Sequence, residues 1–362
     1  MNIINSYPVC DGCIYSKLHF CKKYNKECPS CLIGDTRYQI CCEDCIDNDA
    51  YEQGAIEKED DKKIALFHIP GFLDTFAFYW SLLQFQHYYP DAFYPNRKIA
   101  SVYGSFPGAV WNGRSLDYEN TFTSLEEIEK MELVLNKYDV NMSLTWNNHL
   151  IEGNEVYDSY CNRITFALNT GKHSLIVASE ELREYLQSKY MNFNYVKSVI
   201  SSTEETDITI DKNYDYTVIN PKFNKRWDLF DELSDKDKKK VIFLCNDNCF
   251  PTCTKACHYR QANLAQKAFR CEQMEKGTCM VDQDFTYFNT ARWPQTINSE
   301  DIDEYVEKGF KHFKITGRGD IPTMTLIKVL KYLVRPEYLD DALAWCLNEK
   351  LYPDAEIRKL EK

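Results

Sequence analysis

Cysteine is the residue type whose number and spacing in this chain could do chemistry. There are 16 among 362 residues, and eight stand at positions 10, 13, 21, 28, 31, 41, 42 and 45. Cys10 and Cys13 form one CxxC pair and Cys28 and Cys31 a second, with fourteen residues between the pairs. Each tight pair presents two close thiolates, and two pairs close a tetrahedral S4 shell, the arrangement of zinc ribbons and knuckles. Gly12 and Pro29 suit the turns this requires. Cys21, Cys41, Cys42 and Cys45 make the set large enough for two such shells, with Cys42 and Cys45 as a third CxxC. The same thiolates could hold a 4Fe-4S cluster, because both metals accept S4 shells, and spacing does not separate iron from zinc. Buried or free thiols are the plain alternative, and the crowding of eight into 45 residues speaks against it.

A second group follows far downstream, in LCNDNCFPTCTKACHYRQ. Cys249, Cys253 and Cys257 recur every four residues, and Cys271 and Cys279 come after them. A continuous helix would line the first three into a stripe about 12 Å long, at about 1.5 Å per residue. That is too long for one cubane. Either the segment is partly loop, as Pro251 favours, or not all three thiols bind one cluster. The spacing is not the CxxxCxxC of radical S-adenosylmethionine enzymes. A stripe of small core residues is the alternative reading.

Other polar groups stand at the ends of apolar runs: His68, Asn147, Asn148, Asn220, Asn246 and Arg318. His68 could carry a proton or be a satisfied structural histidine. Arg318 could clamp a carboxylate or phosphate through two parallel hydrogen bonds, or pair with a nearby acid. Asn147 and Asn148 could donate to a substrate carbonyl or hold a turn. His68, Asn147 and Arg318 form the expected catalytic set. No Walker loop, GxGxxG or HExxH occurs, and the run Trp80 to Tyr89 reads as a buried helix rather than an aromatic nucleic-acid platform.

The elements that must position these groups follow from the hydrophobic patterning. Residues 64–69, 98–103, 141–145, 174–178, 195–200, 215–219, 240–245 and 311–315 read as eight strands. Helix signals lie between them. Ser124 with Glu127 makes a capping box, and Leu125, Ile128, Met131 and Leu135 share one face to about Lys137. Ser179 before two glutamates starts a helix that ends near Lys189. Ser299 can cap a helix stopping at Gly309, Pro322 suits the first turn of one reaching Val334, and 337–349 is one more. Eight strand-then-helix units predict an α/β fold, a (β/α)8 TIM-like barrel, with an open doubly wound sheet as the alternative. The loop after the seventh strand would then place the second cysteine group on the catalytic face. The acidic run Asp47 to Lys63 reads as a linker. The expected organisation is therefore a cysteine-rich metal-binding segment and linker over 1–62, and a TIM-like barrel with C-terminal helices over 63–362.

Composition bounds the rest. A hydrophobic fraction of 44% supports a sizeable core, and a net charge of −12 argues against a large nonspecific nucleic-acid surface, leaving a local basic groove open. No run of about 18 apolar residues predicts a membrane span, and Met1 to Val9 lacks a basic leader. The expected setting is a reducing cytoplasm, where cysteines serve as ligands rather than disulfides.

Several segments resemble a known family. LCNDNCFPTC followed by His258 and Tyr259 is similar to the N-x-x-C-x-x-x-C segment of barrel proteins related to the collagenase-like peptidase family. FKITGR, Phe313 to Arg318, resembles that family's FKIEGR-type strand end. LTWNNHLI and DSYCNRI, with Asp158, Cys161 and Asn162, resemble a segment of its more distant relatives. The matches run in order through roughly residues 64–335. The resemblance implies a (β/α)8-type barrel with a 4Fe-4S cluster held by four cysteines, and oxygen-independent hydroxylation or a similar modification of an RNA base, a peptide or a small molecule. It points to Cys249 and Cys253 as ligands, with Cys161, Cys257, Cys271 and Cys279 competing for two further places; proximity in sequence favours Cys257 and Cys271. The amino-terminal cysteines are extra to the family's pattern, and the cluster cysteines are spaced differently from its main branch. The alternative is a zinc- or iron–sulfur-binding interaction module with a silent barrel, docking an electron-transfer or protein partner through residues 1–45.

Overall fold

A computed structural model describes residues 63–113, 122–202, 208–247, 263–264, 293–317 and 321–349, with short strand pairings at 16–17, 20–21 and 26–27. The chain divides into two units, residues 1–62 and 63–362. In the first, β1 (Ser16–Lys17), β2 (Phe20–Cys21) and β3 (Lys26–Glu27) pair antiparallel in that order. Cys21 faces Ser16 on one side and Lys26 on the other in this small sheet. The other seven amino-terminal cysteines and the expected linker lie outside the described residues.

In the second unit eight parallel strands close into a barrel. They are β4 (Ala65–Pro70), β5 (Arg97–Gly104), β6 (Asn141–Leu144), β7 (Ser174–Val177), β8 (Asn194–Lys197), β9 (Tyr216–Val218), β10 (Val241–Leu244) and β11 (His312–Lys314). Each pairs with the next in sequence, and β11 pairs with β4 to complete the ring. Alternation along each strand sorts the side chains. Phe67, Val102, Met142, Leu175, Phe243 and Phe313 face outward into one continuous buried core with the surrounding helices. The closed (β/α)8 topology is therefore the one the strand-and-helix alternation predicts.

Among the described residues the α-helices include α1 (Phe76–Tyr88), α2 (Leu125–Lys137), α3 (Ser159–Ala167), α4 (Glu180–Lys189), α5 (Trp227–Phe230), α6 (Asp235–Lys238), α7 (Ile302–Glu307), α8 (Pro322–Leu333) and α9 (Leu339–Glu349). At α2 the predicted capping box is complete: Ser124 Oγ accepts from the Glu127 N–H, and Glu127 accepts from the Ser124 N–H at 2.9 Å. α1 buries Tyr79, Leu82 and Phe85, as expected for the aromatic run. α9 packs back on α1, where Trp345 Nε1 donates to the Ser81 carbonyl at 3.1 Å.

Two local expectations are corrected. Asn298, not Ser299, forms the capping box with Asp301 at the turn leading into α7. Ser299 Oγ instead accepts from the Arg97 guanidinium at 2.7 Å, a partner that sequence spacing does not reveal. The fifth unit also lacks its helix among the described residues: β8 leads into the 3-10 turn Val199–Ser202, and residues 208–215 before β9 are irregular chain and turn.

One irregularity shapes the interior. β4 and β5 pair Phe67 with Ile99 but His68 with Ser101, so Ala100 is an extra residue in β5. The shift turns both Ala100 and Ser101 toward the barrel axis, beside His68.

Candidate functional site

Polar residues stand at the carboxyl ends of several strands, and two groups of them are hydrogen-bonded. After β6, Thr145 Oγ1 donates to Asn112 Oδ1 at 3.3 Å, and Asn147 Oδ1 accepts from the Gly113 N–H at 2.9 Å. These bonds fasten the loop after β5 to the end of β6. Gly113 is needed there, because a Cβ would lie 2.3 Å from the Asn147 carbonyl oxygen. Asn148 Nδ2 donates to the Val110 carbonyl at 3.2 Å and to the Asn263 carbonyl at 3.3 Å, while its Oδ1 accepts from the Leu150 N–H. Asn263 is fully buried. With its amide oxygen toward His149 and its nitrogen toward Gly113, it accepts from the His149 ring and donates to the Gly113 carbonyl at 2.6 Å.

On the opposite arc, Asn246 follows β10 and clasps the residue after β11. Its Oδ1 accepts from the Thr316 N–H at 2.7 Å, its Nδ2 donates to the Thr316 carbonyl at 3.3 Å, and Thr316 Oγ1 donates back to the Asn246 carbonyl at 2.6 Å. Asn246 and Asp247 are both buried. Asn220 shapes the turn after β9, where its Oδ1 accepts from the Lys222 N–H.

Three described points of the chain between β10 and α7 bear on this face. The segment leaves from Asp247 and re-enters the described chain at Trp293, and between them Asn263 is anchored on Asn148, His149 and Gly113. Cys249, Cys253 and Cys257, with His258 and Tyr259, fall between Asp247 and Asn263; Cys271 and Cys279 fall between Asn263 and Trp293. All seven lie outside the described residues, as does Arg318.

The described cysteines of the barrel, Cys161, Cys245 and Cys346, are buried free thiols. Cys161 is buried in the core on α3, where burial and the Asp158 carboxylate push its thiol well up. The structure thus gives this competitor for a ligand place a core position. Cys245 and Cys346 are also buried, and burial raises the Cys346 thiol to about 12. Among the described residues no three His, Cys, Asp or Glu side chains come together as a metal site.

His68 lies elsewhere than its expected position at a strand end. It is the fourth of six residues in β4 and points into the barrel interior. There its Nδ1 is 2.8 Å from Ser101 Oγ and its Nε2 is 3.1 Å from His312 Nδ1, and Ser143 Oγ donates to Ser101 Oγ at 3.0 Å. Burial, the nearby His312 and the Lys314 charge hold His68 well below the usual imidazole range. His312, Lys314, Ser101 and Ser143 were not marked by the sequence reading. The available signal was the alternation in KHFKI: His312 and Lys314 share one face of a strand that a barrel buries on both faces.

Fold and site together define a (β/α)8 barrel with a polar carboxyl face. No protein-family model matches the chain, and no curated protein matches it. A solved structure described as that of the U32 peptidase Mk0906 aligns over 61% of this chain and 85% of its own, with 11% identity and a TM-score of 0.36. No helix among the described residues is long and apolar enough to cross a membrane.

Proposed function

We propose that this protein is an iron–sulfur barrel enzyme working at the carboxyl ends of its strands. In this reading Cys249 and Cys253, with Cys257 and Cys271, hold a 4Fe-4S cluster, and the reaction is an oxygen-independent modification of an RNA base, a peptide or a small molecule. The observation that carries it is the anchoring of Asn263. The stretch bearing Cys249, Cys253 and Cys257 is bounded by Asp247 and Asn263, two buried residues that both lie on the face where barrels of this kind place their chemistry. A thiolate donor set suits such a cluster. Bound there, the cluster would supply one-electron transfer. The chain's own contribution is a rigid polar floor: the Asn246–Thr316 clasp and the Asn147–Gly113 and Asn148–Asn263 ties hold donors and acceptors without side-chain freedom. The amino-terminal cysteines are, in the same reading, a second metal site, with zinc as the alternative to iron.

Anaerobic preparation of the full chain tests this. We expect a brown protein containing iron and acid-labile sulfide, and the double variant Cys249→Ser, Cys253→Ser should lose the barrel's share of both. A colourless protein that carries zinc alone overturns the proposal. So does an iron and sulfide content that the double variant leaves unchanged.

A further inference from the structure

The barrel interior holds a cavity of about 180 Å³ that has no part in the carboxyl-face reading. Its lining includes the first residues of β6, β7, β8, β9 and β11, namely Asn141, Ser174, Asn194, Tyr216 and His312, so it occupies the amino-terminal half of the barrel. Tyr103, Ile176, Val196, Val218, Ile242 and Leu244 form an apolar cluster inside the barrel. At the other end Asn194 is exposed, and Asn141 and Ser174 are half-buried, which marks a rim. Barrel interiors are ordinarily filled by branched apolar side chains. Here β4, β5, β6 and β11 contribute imidazoles, hydroxyls and an ammonium instead.

The polar wall has a direction. Ser143 donates to Ser101, leaving the Ser101 proton for His68 Nδ1, and the remaining His68 Nε2–H then serves His312 Nδ1. His312 Nε2–H is the last donor of this run. Beside it on the same strand, the Lys314 ammonium lies 3.9 Å from the centre of the Tyr103 ring. No carboxylate occurs among the described residues lining the cavity. Hydrogen-bond donors and a lysine favour an anion. A metal dication between the imidazoles would face the Lys314 charge.

We infer that this cavity is a binding site for a small oxyanion of the inorganic phosphate class, held by Lys314, the last donor of the Ser143–Ser101–His68–His312 run and the rim hydroxyl of Ser174. The volume suits a free anion and excludes a nucleotide. Burial, with the Lys311 charge adding to it, holds His312 at about 4. An anion in the cavity raises that value, since opposite charge favours the imidazolium. Among the described residues the other ionisable groups facing His312 are His68 on β4, Tyr216 on β9 and Lys314 on β11 itself.

The test is titration of the full-length protein with inorganic phosphate, with sodium chloride at equal ionic strength as reference. Thermal midpoint and heat of binding are both followed. Saturable binding with a rise in midpoint is expected. Lys314→Met should weaken it by about ten-fold or more, the loss typical of one charge-assisted hydrogen bond. Ser174→Ala, a small change at the rim, should weaken it less and carries the test if Lys314→Met does not fold. Binding no stronger than the chloride reference overturns the inference. So does full affinity in every variant that folds, which places the anion on the outer surface.

Discussion

At the scale of single residues, the imidazole pair inside the barrel governs the response to acid. His312 titrates near 4 in the folded chain, against 6.5 for an unperturbed histidine, and burial is the main cause. The folded state therefore resists protonation that the unfolded chain accepts. Stability is full above about pH 6.5 and is lost as pH falls toward 4, with a total loss of about 3 kcal/mol from this group. His68 is shifted in the same direction and adds to the loss. Urea unfolding at pH values on either side of this window should show the decline, and His312→Gln should flatten it. An unchanged slope of stability against pH in that variant would sink the idea. Asn246 is the other decisive residue. Asn246→Ala leaves the buried Thr316 N–H without its acceptor, which should cost about 1–3 kcal/mol, read as a lower urea midpoint with unchanged m.

At the scale of elements, the face at the strand ends depends on how closely the loops approach. The loop after β5 reaches the end of β6 only because Gly113 has no side chain. Gly113→Ala should force the Asn147 backbone away, with a destabilisation of about 1–3 kcal/mol, the usual range for overpacking. The same displacement loosens Asn263, so proteolysis within 248–292 should quicken. Wild-type cleavage rates in the variant would contradict the account. α2 offers a simpler case. Ser124→Ala removes the hydroxyl half of its capping box and should cost about 1 kcal/mol, with no effect on the anion or metal content of the protein.

For the whole molecule, closure of the ring is what makes residues 63–362 a unit. β11 pairs with β4 at His312–Leu66, Phe313–Phe67 and Lys314–His68, so the first and last barrel strands depend on each other. The chain from residue 63 onward should fold without the amino-terminal unit and unfold in one cooperative transition. Circular dichroism and urea unfolding of that fragment check this; a molten or insoluble fragment would count against it. Metal analysis of the same fragment separates the two cysteine groups, because iron retained by it belongs to the barrel.

The positions of the eight strands were legible in the chain, each to within a few residues. A buried parallel strand is a short apolar run between polar stops, and that is local information. The Ser124 and Ser179 helix starts were legible for the same reason, since a cap hydroxyl and the N–H it accepts from lie three residues apart. The Ser299 start was not, because Arg97, some two hundred residues away, takes that hydroxyl. The two cysteine groups are read as ligands from spacing alone, and all of them but Cys21 lie outside the described residues. Only the tertiary structure decided that His68 belongs to the interior and not to the mouth, and that Cys161 is core. It alone assembled Ser143, Ser101, His68, His312 and Lys314 into one wall. Those residues come from four strands spread over the length of the barrel, and an extra residue in β5 and the β11–β4 closure bring them together. Period-two alternation says that a side chain lies on one face or the other. Which face is the inside, and who stands opposite, is set by register and closure between strands far apart in sequence.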